Sequence, residues 1–81
     1  KNILYKIDTN NNDEAFNLLS NKEMLRESEE RLGDYILNKK DNDIFITILQ
    51  NDNKPIRIRD IKSYLLKNTI NIKNIRKLKL V

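Results

Sequence analysis

Asp34-Tyr35-Ile36-Leu37-Asn38-Lys39-Lys40-Asp41-Asn42-Asp43-Ile44-Phe45-Ile46-Thr47-Ile48-Leu49 is the stretch whose reading decides the fold. It holds two runs of β-branched and aromatic residues, 34–38 and 43–49. Lys39-Lys40-Asp41-Asn42 separates them with the length and polarity of a hairpin connection. Within the second run Ile44, Ile46 and Ile48 share one face of a strand, and Phe45, Thr47 and Leu49 share the other. Both faces are substantially apolar, which predicts a central strand covered on at least one side, with helices as its lid.

Upstream, Ile3-Leu4-Tyr5-Lys6-Ile7 reads as a further strand, ended by the turn-forming cluster 8–12. Asn12 or Asp13 is placed to cap a helix carrying Ala15, Phe16, Leu18 and Leu19. Ser20-Asn21-Lys22-Glu23 has capping-box spacing and opens a second predicted helix over about 21–32, supported by the Glu27–Arg31 pair. Gly33, the only glycine, stands where a helix end calls for a left-handed residue.

Downstream, residues 50–55 form a polar turn and Ile56-Arg57-Ile58 reads as a short strand. Asp60 is the expected cap of a helix carrying Ile61, Tyr64 and Leu65 and ending near Asn68. Ile72, Ile75 and Leu78 recur at i, i+3, i+6, which predicts a short helix capped by Asn71, with a strand through Leu78, Leu80 and Val81 as the alternative. The expected fold is therefore α+β: a small antiparallel sheet, made of hairpin 34–49 plus short strands near 3–7 and 56–58, packed against two to four short helices.

Eighty-one residues make one domain with a thin core. The missing initial Met and the basic-apolar end at Val81 lead us to expect a single domain, 1–81, excised from a larger protein. Without cysteine, neither disulfides nor thiolate metal sites are available, which fits a reducing, cytoplasmic setting. No apolar run reaches the roughly 20 residues that span a bilayer, so no membrane association is expected. Thirteen Asn, twelve Ile and eleven Lys form a bias that an AT-rich genome accounts for, and the asparagines are discounted as functional signals.

The chemistry of catalysis is thinly represented. The chain has no His and no Cys, the usual acid–base and nucleophilic groups. Phosphate-cradling loops need several glycines. Asp41, Asn42 and Asp43 crowd oxygens into one turn without calcium-loop spacing, and Glu27, Glu29 and Glu30, interleaved with Arg26 and Arg31, read as a solvated helix face. We expect no enzyme activity, no cofactor and no metal.

Charge is unevenly distributed. Residues 1–53 hold 7 basic and 11 acidic side chains, whereas residues 54–81 hold 9 basic and 1 acidic. The basic third supplies the candidate interaction surface: Arg57, Arg59, Lys62, Lys67, Lys73, Arg76 and Lys77, with Lys79 beside them. Such a segment attracts nucleic acid, anionic lipid or an acidic protein surface; the plainer reading is a solvated face or a docking surface for another part of the same protein. Only Tyr64 among these residues is aromatic, so no stacking platform for single strands accompanies the charge. The succession of elements over 60–80 distantly resembles a helix-turn-helix, without a glycine at the turn.

From Gly33 to Val81 the order of features resembles the small N-terminal module of the flagellar assembly protein A (FapA) family in its spirochaete form. The resemblance rests on Gly33-Asp34-Tyr35-Ile36 opening a strand and on the alternating strand 43–49. It continues through the turn ending Lys54-Pro55-Ile56, the helix through Asp60, Ile61 and Leu65, and Asn68-Thr69 leading into Ile75-Arg76-Lys77-Leu78. Asn51, Asp52 and Asn53 stand where the family's turn carries Pro and Gly. The resemblance implies a non-catalytic scaffolding or protein-interaction domain in a cytoplasmic protein linked to flagellar assembly, acting by protein–protein contact. It carries over no functional residue.

Overall fold

A computed structural model describes residues 2–21, 33–50 and 55–80. In chain order they form β1 (Ile3–Thr9), α1 (Asn12–Ser20), β2 (Tyr35–Lys40), β3 (Asp43–Ile48), α2 (Ile58–Lys67) and β4 (Ile72–Leu80). The strands make one four-stranded sheet in the order β2-β3-β1-β4, and every neighbouring pair is antiparallel. The connection through α1 joins β1 to β2 with β3 between them; the connection through α2 joins β3 to β4 with β1 between them. Two split βαβ units therefore interlock, the ferredoxin-like arrangement. The α+β class and the antiparallel sheet are as the sequence leads one to expect.

The hairpin follows directly from its residues. Tyr35–Lys40 pairs with Asp43–Ile48 across a turn of Asp41 and Asn42, and Asp41 takes a left-handed backbone, φ 58°. Mirror-image hairpin turns need positive φ at the first central position, and Asp tolerates it better than most residues. Ile44, Ile46 and Ile48 are all at most 1% exposed, which fixes the register, because a slip by one residue would turn all three outward.

Residues 72–80 are a strand and not the helix that their spacing suggests. The reason lies in two register shifts against β1, between Leu4 and Tyr5 and between Asp8 and Thr9. The second shift pairs Thr9 with Ile72 but Asp8 with Asn74, so Lys73 is an extra residue that inverts the alternation. Ile72 and Ile75, three apart, then both pack against the core. A bulged strand has imitated helical periodicity. Ile56-Arg57-Ile58 is likewise not a strand. Ile56 is buried in irregular chain, and Ile58 opens α2 behind Arg57 as N-cap. Asp60, expected to be the cap, lies inside the helix and its Oδ2 accepts from the Arg57 amide at 3.0 Å.

The expected helix over 21–32 falls on residues 22–32, outside the described residues. Gly33 is buried and has no positive φ, so the left-handed helix end expected of it is not found there. That conformation falls instead to Thr69, φ 63°, just past α2. There the Ile70 amide donates to the Leu65 carbonyl and the Thr69 amide to the Leu66 carbonyl, a Schellman end normally built on glycine.

The asparagine tract 10–12 does structural work that composition had obscured. Asn11, and neither Asn12 nor Asp13, caps α1, its side chain accepting from the Glu14 amide at 3.2 Å. Asn10 exchanges hydrogen bonds with Asn71 at the start of β4. Asn12 turns inward: Oδ1 accepts from the Thr9 amide (2.8 Å) and hydroxyl (2.7 Å), while Nδ2 donates to Asp8 Oδ1 (3.1 Å) and the Asn42 carbonyl (2.7 Å). One buried side chain thus ties β1, α1 and the hairpin turn together.

Both helices lie on the same side of the sheet. Ala15 and Leu19 of α1 and Ile61, Tyr64 and Leu65 of α2 join Ile7, Ile44, Ile46 and Ile48 in one core that also takes in Tyr35, Ile56 and Ile70. Tyr35 and Tyr64 donate their hydroxyls to the carbonyls of Leu19 and Leu18 in the last turn of α1, where helix ends call for donors from outside the helix; the Leu18 carbonyl also accepts the Asn21 amide.

Candidate binding surface

Because β-strand side chains alternate, burying Ile7, Ile44, Ile46 and Ile48 under the helices sends their neighbours to the opposite face. No described element lies on that face. Register assembles its side chains into rows across the strands. Ile36, Thr47, Leu4 and Lys79 form one row, and Asn38, Phe45, Lys6 and Arg76 form the next. Lys40 and Asp43 begin a third row, which Asp8 and Asn74 continue on β1 and β4. The surface is mixed: an apolar centre of Leu4 and Phe45, with Ile36 51% exposed, set among Lys6, Lys40, Arg76 and Lys79.

Two features of this face bear on binding. A shallow depression of about 500 Å³ is lined by Leu4, Asn38, Lys39, Lys40, Phe45 and Thr47. Beside it is a smaller notch of about 110 Å³, lined by Lys6, Asp8, Asp43, Asn74 and Arg76. Lys6 and Arg76 are direct cross-strand partners, and like charges so placed destabilise a sheet. Lys6 is partly compensated by Asp43, 3.5 Å away. Arg76 has no ion-pair partner among the described residues.

The sequence-predicted basic residues do not form one surface. Arg57 caps α2 and lies 3.8 Å from Asp60. Arg59 and Lys62 are exposed on α2 and Lys67 ends it. Lys73 falls at a register shift, and Lys77 pairs with Tyr5, the parity of the helix-covered side. Only Arg76, with Lys79, shares the uncovered face with Lys6 and Lys40. Lys6, Asn38 and Phe45 were not singled out by sequence. The opposed parities of β3 contain the signal, since Phe45 and Thr47 must face away from the three isoleucines, but its meaning depends on the helices covering only one side.

No group of His, Cys, Asp or Glu among the described residues has the arrangement to hold a metal ion, and no described helix is long and apolar enough to cross a membrane. In comparisons with known proteins, no family model, no curated protein and no solved structure matches this chain.

Proposed function

We propose that this chain is a non-catalytic protein-interaction or scaffolding domain that contacts its partner through the uncovered face of the sheet. The observation that carries the reading is the composition of that face: exposed Ile36 and half-buried Leu4 and Phe45 lie together on one side of the sheet, rimmed by lysine and arginine. Apolar centres with charged rims characterise protein contact surfaces. The ferredoxin-like connectivity adds nothing to this, since the topology hosts many unrelated functions. The resemblance of residues 33–81 to the flagellar assembly protein A module is the support for placing the domain in a cytoplasmic scaffold linked to flagellar assembly.

Nucleic-acid binding is the second reading, and the row Asn38–Phe45–Lys6–Arg76 favours it. It sets an aromatic ring between a hydrogen-bonding amide and two cations. The test is binding of labelled mixed-sequence DNA and RNA oligonucleotides at low and physiological salt. One variant replaces Lys6 and Arg76, another Arg57, Arg59 and Lys62. A protein-interaction domain is expected to show at most weak binding that disappears at physiological salt. Binding that persists there, and that either variant abolishes, would replace the lead reading.

A further inference from the structure

We propose that the uncovered sheet face takes an acidic peptide segment of a partner protein, with one apolar or aromatic side chain seated over Leu4 and Phe45. This rests on the protein-interaction reading and specifies the partner's chemistry.

The geometry sets the pattern such a segment must have. Adjacent strands lie about 4.8 Å apart and alternate residues of one strand about 6.8 Å apart. Phe45 is on β3 and Arg76 on β4, two strands away in the same row. Their separation is therefore about 10 Å, or about three residues of extended peptide. Lys40 is one strand away in the other direction and one row along, a diagonal of about 8 Å, or two to three residues. A side chain seated in the depression thus has a cation within about three residues on each side. The matching segment carries Asp or Glu at those spacings, flanking a central Phe, Leu, Ile or Met.

Charge placement separates this occupant from the alternatives. Asp8 and Asp43 lie in the same notch as Lys6 and Arg76. A peptide can set its carboxylates over Arg76 and Lys40 and a neutral residue over the two aspartates. A nucleic-acid strand carries a phosphate at every nucleotide and cannot leave that gap. Its bases would also find only Phe45 as a stacking ring on this face, because Tyr35 and Tyr64 are buried in the core and Tyr5 and Phe16 pack against it. A second copy of the chain presenting the same face would bring together two faces of the same net sign, each with Lys6, Lys40, Arg76 and Lys79 against only Asp8 and Asp43.

The test is selection of a phage-displayed library of random linear peptides on this 81-residue chain. It includes counter-selection on a Lys6→Ala, Phe45→Ala, Arg76→Thr variant and affinity measurement on Phe45→Ala alone, the folding of both confirmed by circular dichroism. The expected consensus is an apolar residue with acidic residues two or three positions to either side. The resynthesised peptide is expected to lose at least tenfold in affinity for the variant and none for Lys62→Ala on α2. Failure to enrich, a neutral or basic consensus, or equal affinity for the variant would overturn the proposal, as would displacement of the peptide by a mixed-sequence oligonucleotide at lower concentration. The two readings fail separately. A neutral consensus whose binding still depends on Phe45 removes the acidic partner but keeps the face as an interface. Binding indifferent to Phe45 removes both.

Discussion

Replacing Asn12 by Ala is the perturbation that most directly probes how the chain organises its first half. The side chain is 7% exposed and makes hydrogen bonds to Thr9, Asp8 and Asn42. Its loss leaves the Thr9 amide buried without an acceptor, at about 1–3 kcal/mol. The remaining bonds, whose partners reach water more easily, add about 1 kcal/mol. The expected loss is about 2–4 kcal/mol, a large share of the stability of so small a domain. Urea denaturation followed by circular dichroism should show it. With a slope near 1 kcal/mol per molar, the midpoint should fall by about 2 M or more at unchanged slope. Asn12→Asp supplies the control. It keeps both acceptor bonds to Thr9 but sets an oxygen against Asp8 Oδ1 and the Asn42 carbonyl. The new carboxyl is protonated more readily in the folded chain than in the unfolded chain. The folded chain then binds more protons, so this variant recovers stability as pH falls. A loss below about 0.5 kcal/mol for Asn12→Ala, or an Asn12→Asp variant indifferent to pH, would refute the reasoning.

Three further predictions follow from particular residues. Thr69→Gly should stabilise the chain by about 1 kcal/mol, because a β-branched residue at φ 63° is relieved of left-handed strain; a midpoint unchanged or lowered in urea would contradict this. Tyr35→Phe should cost about 1 kcal/mol by leaving the Leu19 carbonyl at the end of α1 without its donor, read as a shift in thermal midpoint; an unshifted midpoint would show the bond to be dispensable. Arg76→Thr should raise stability by a few tenths of a kcal/mol, up to about 0.5, by removing the like-charge pair with Lys6, while weakening binding of the selected acidic peptide. If that substitution destabilises the chain in urea, the repulsion argument is wrong.

The hairpin was legible because two adjacent β-rich runs and one polar turn contain all the information needed to pair them. Strand β4 was not, because its register shifts are decided by pairing with β1, and they turn the spacing of Ile72 and Ile75 into that of a helix. The asparagines were unreadable for another reason. A biased composition hides the few whose side chains matter, and only contacts such as Asn12 with Asn42 distinguish them. The candidate surface was the least visible feature. Lys6 and Arg76 are remote in sequence and become neighbours only through the strand order, while the basic run 57–77 is split between α2 and the two sides of β4. Counting charge along the chain joined residues that the fold separates.

The measurement that tests the uncovered face most directly is photo-crosslinking, in the cells that make the protein, from an ultraviolet-activated amino acid placed at position 45. The same probe at position 62 on α2 serves as reference. A discrete protein adduct is expected from position 45 and none from position 62, with an acidic segment at the cross-linked site of the partner. Adducts from position 62 alone, equal adducts from both positions, or cross-links from position 45 to nucleic acid in place of protein would contradict it.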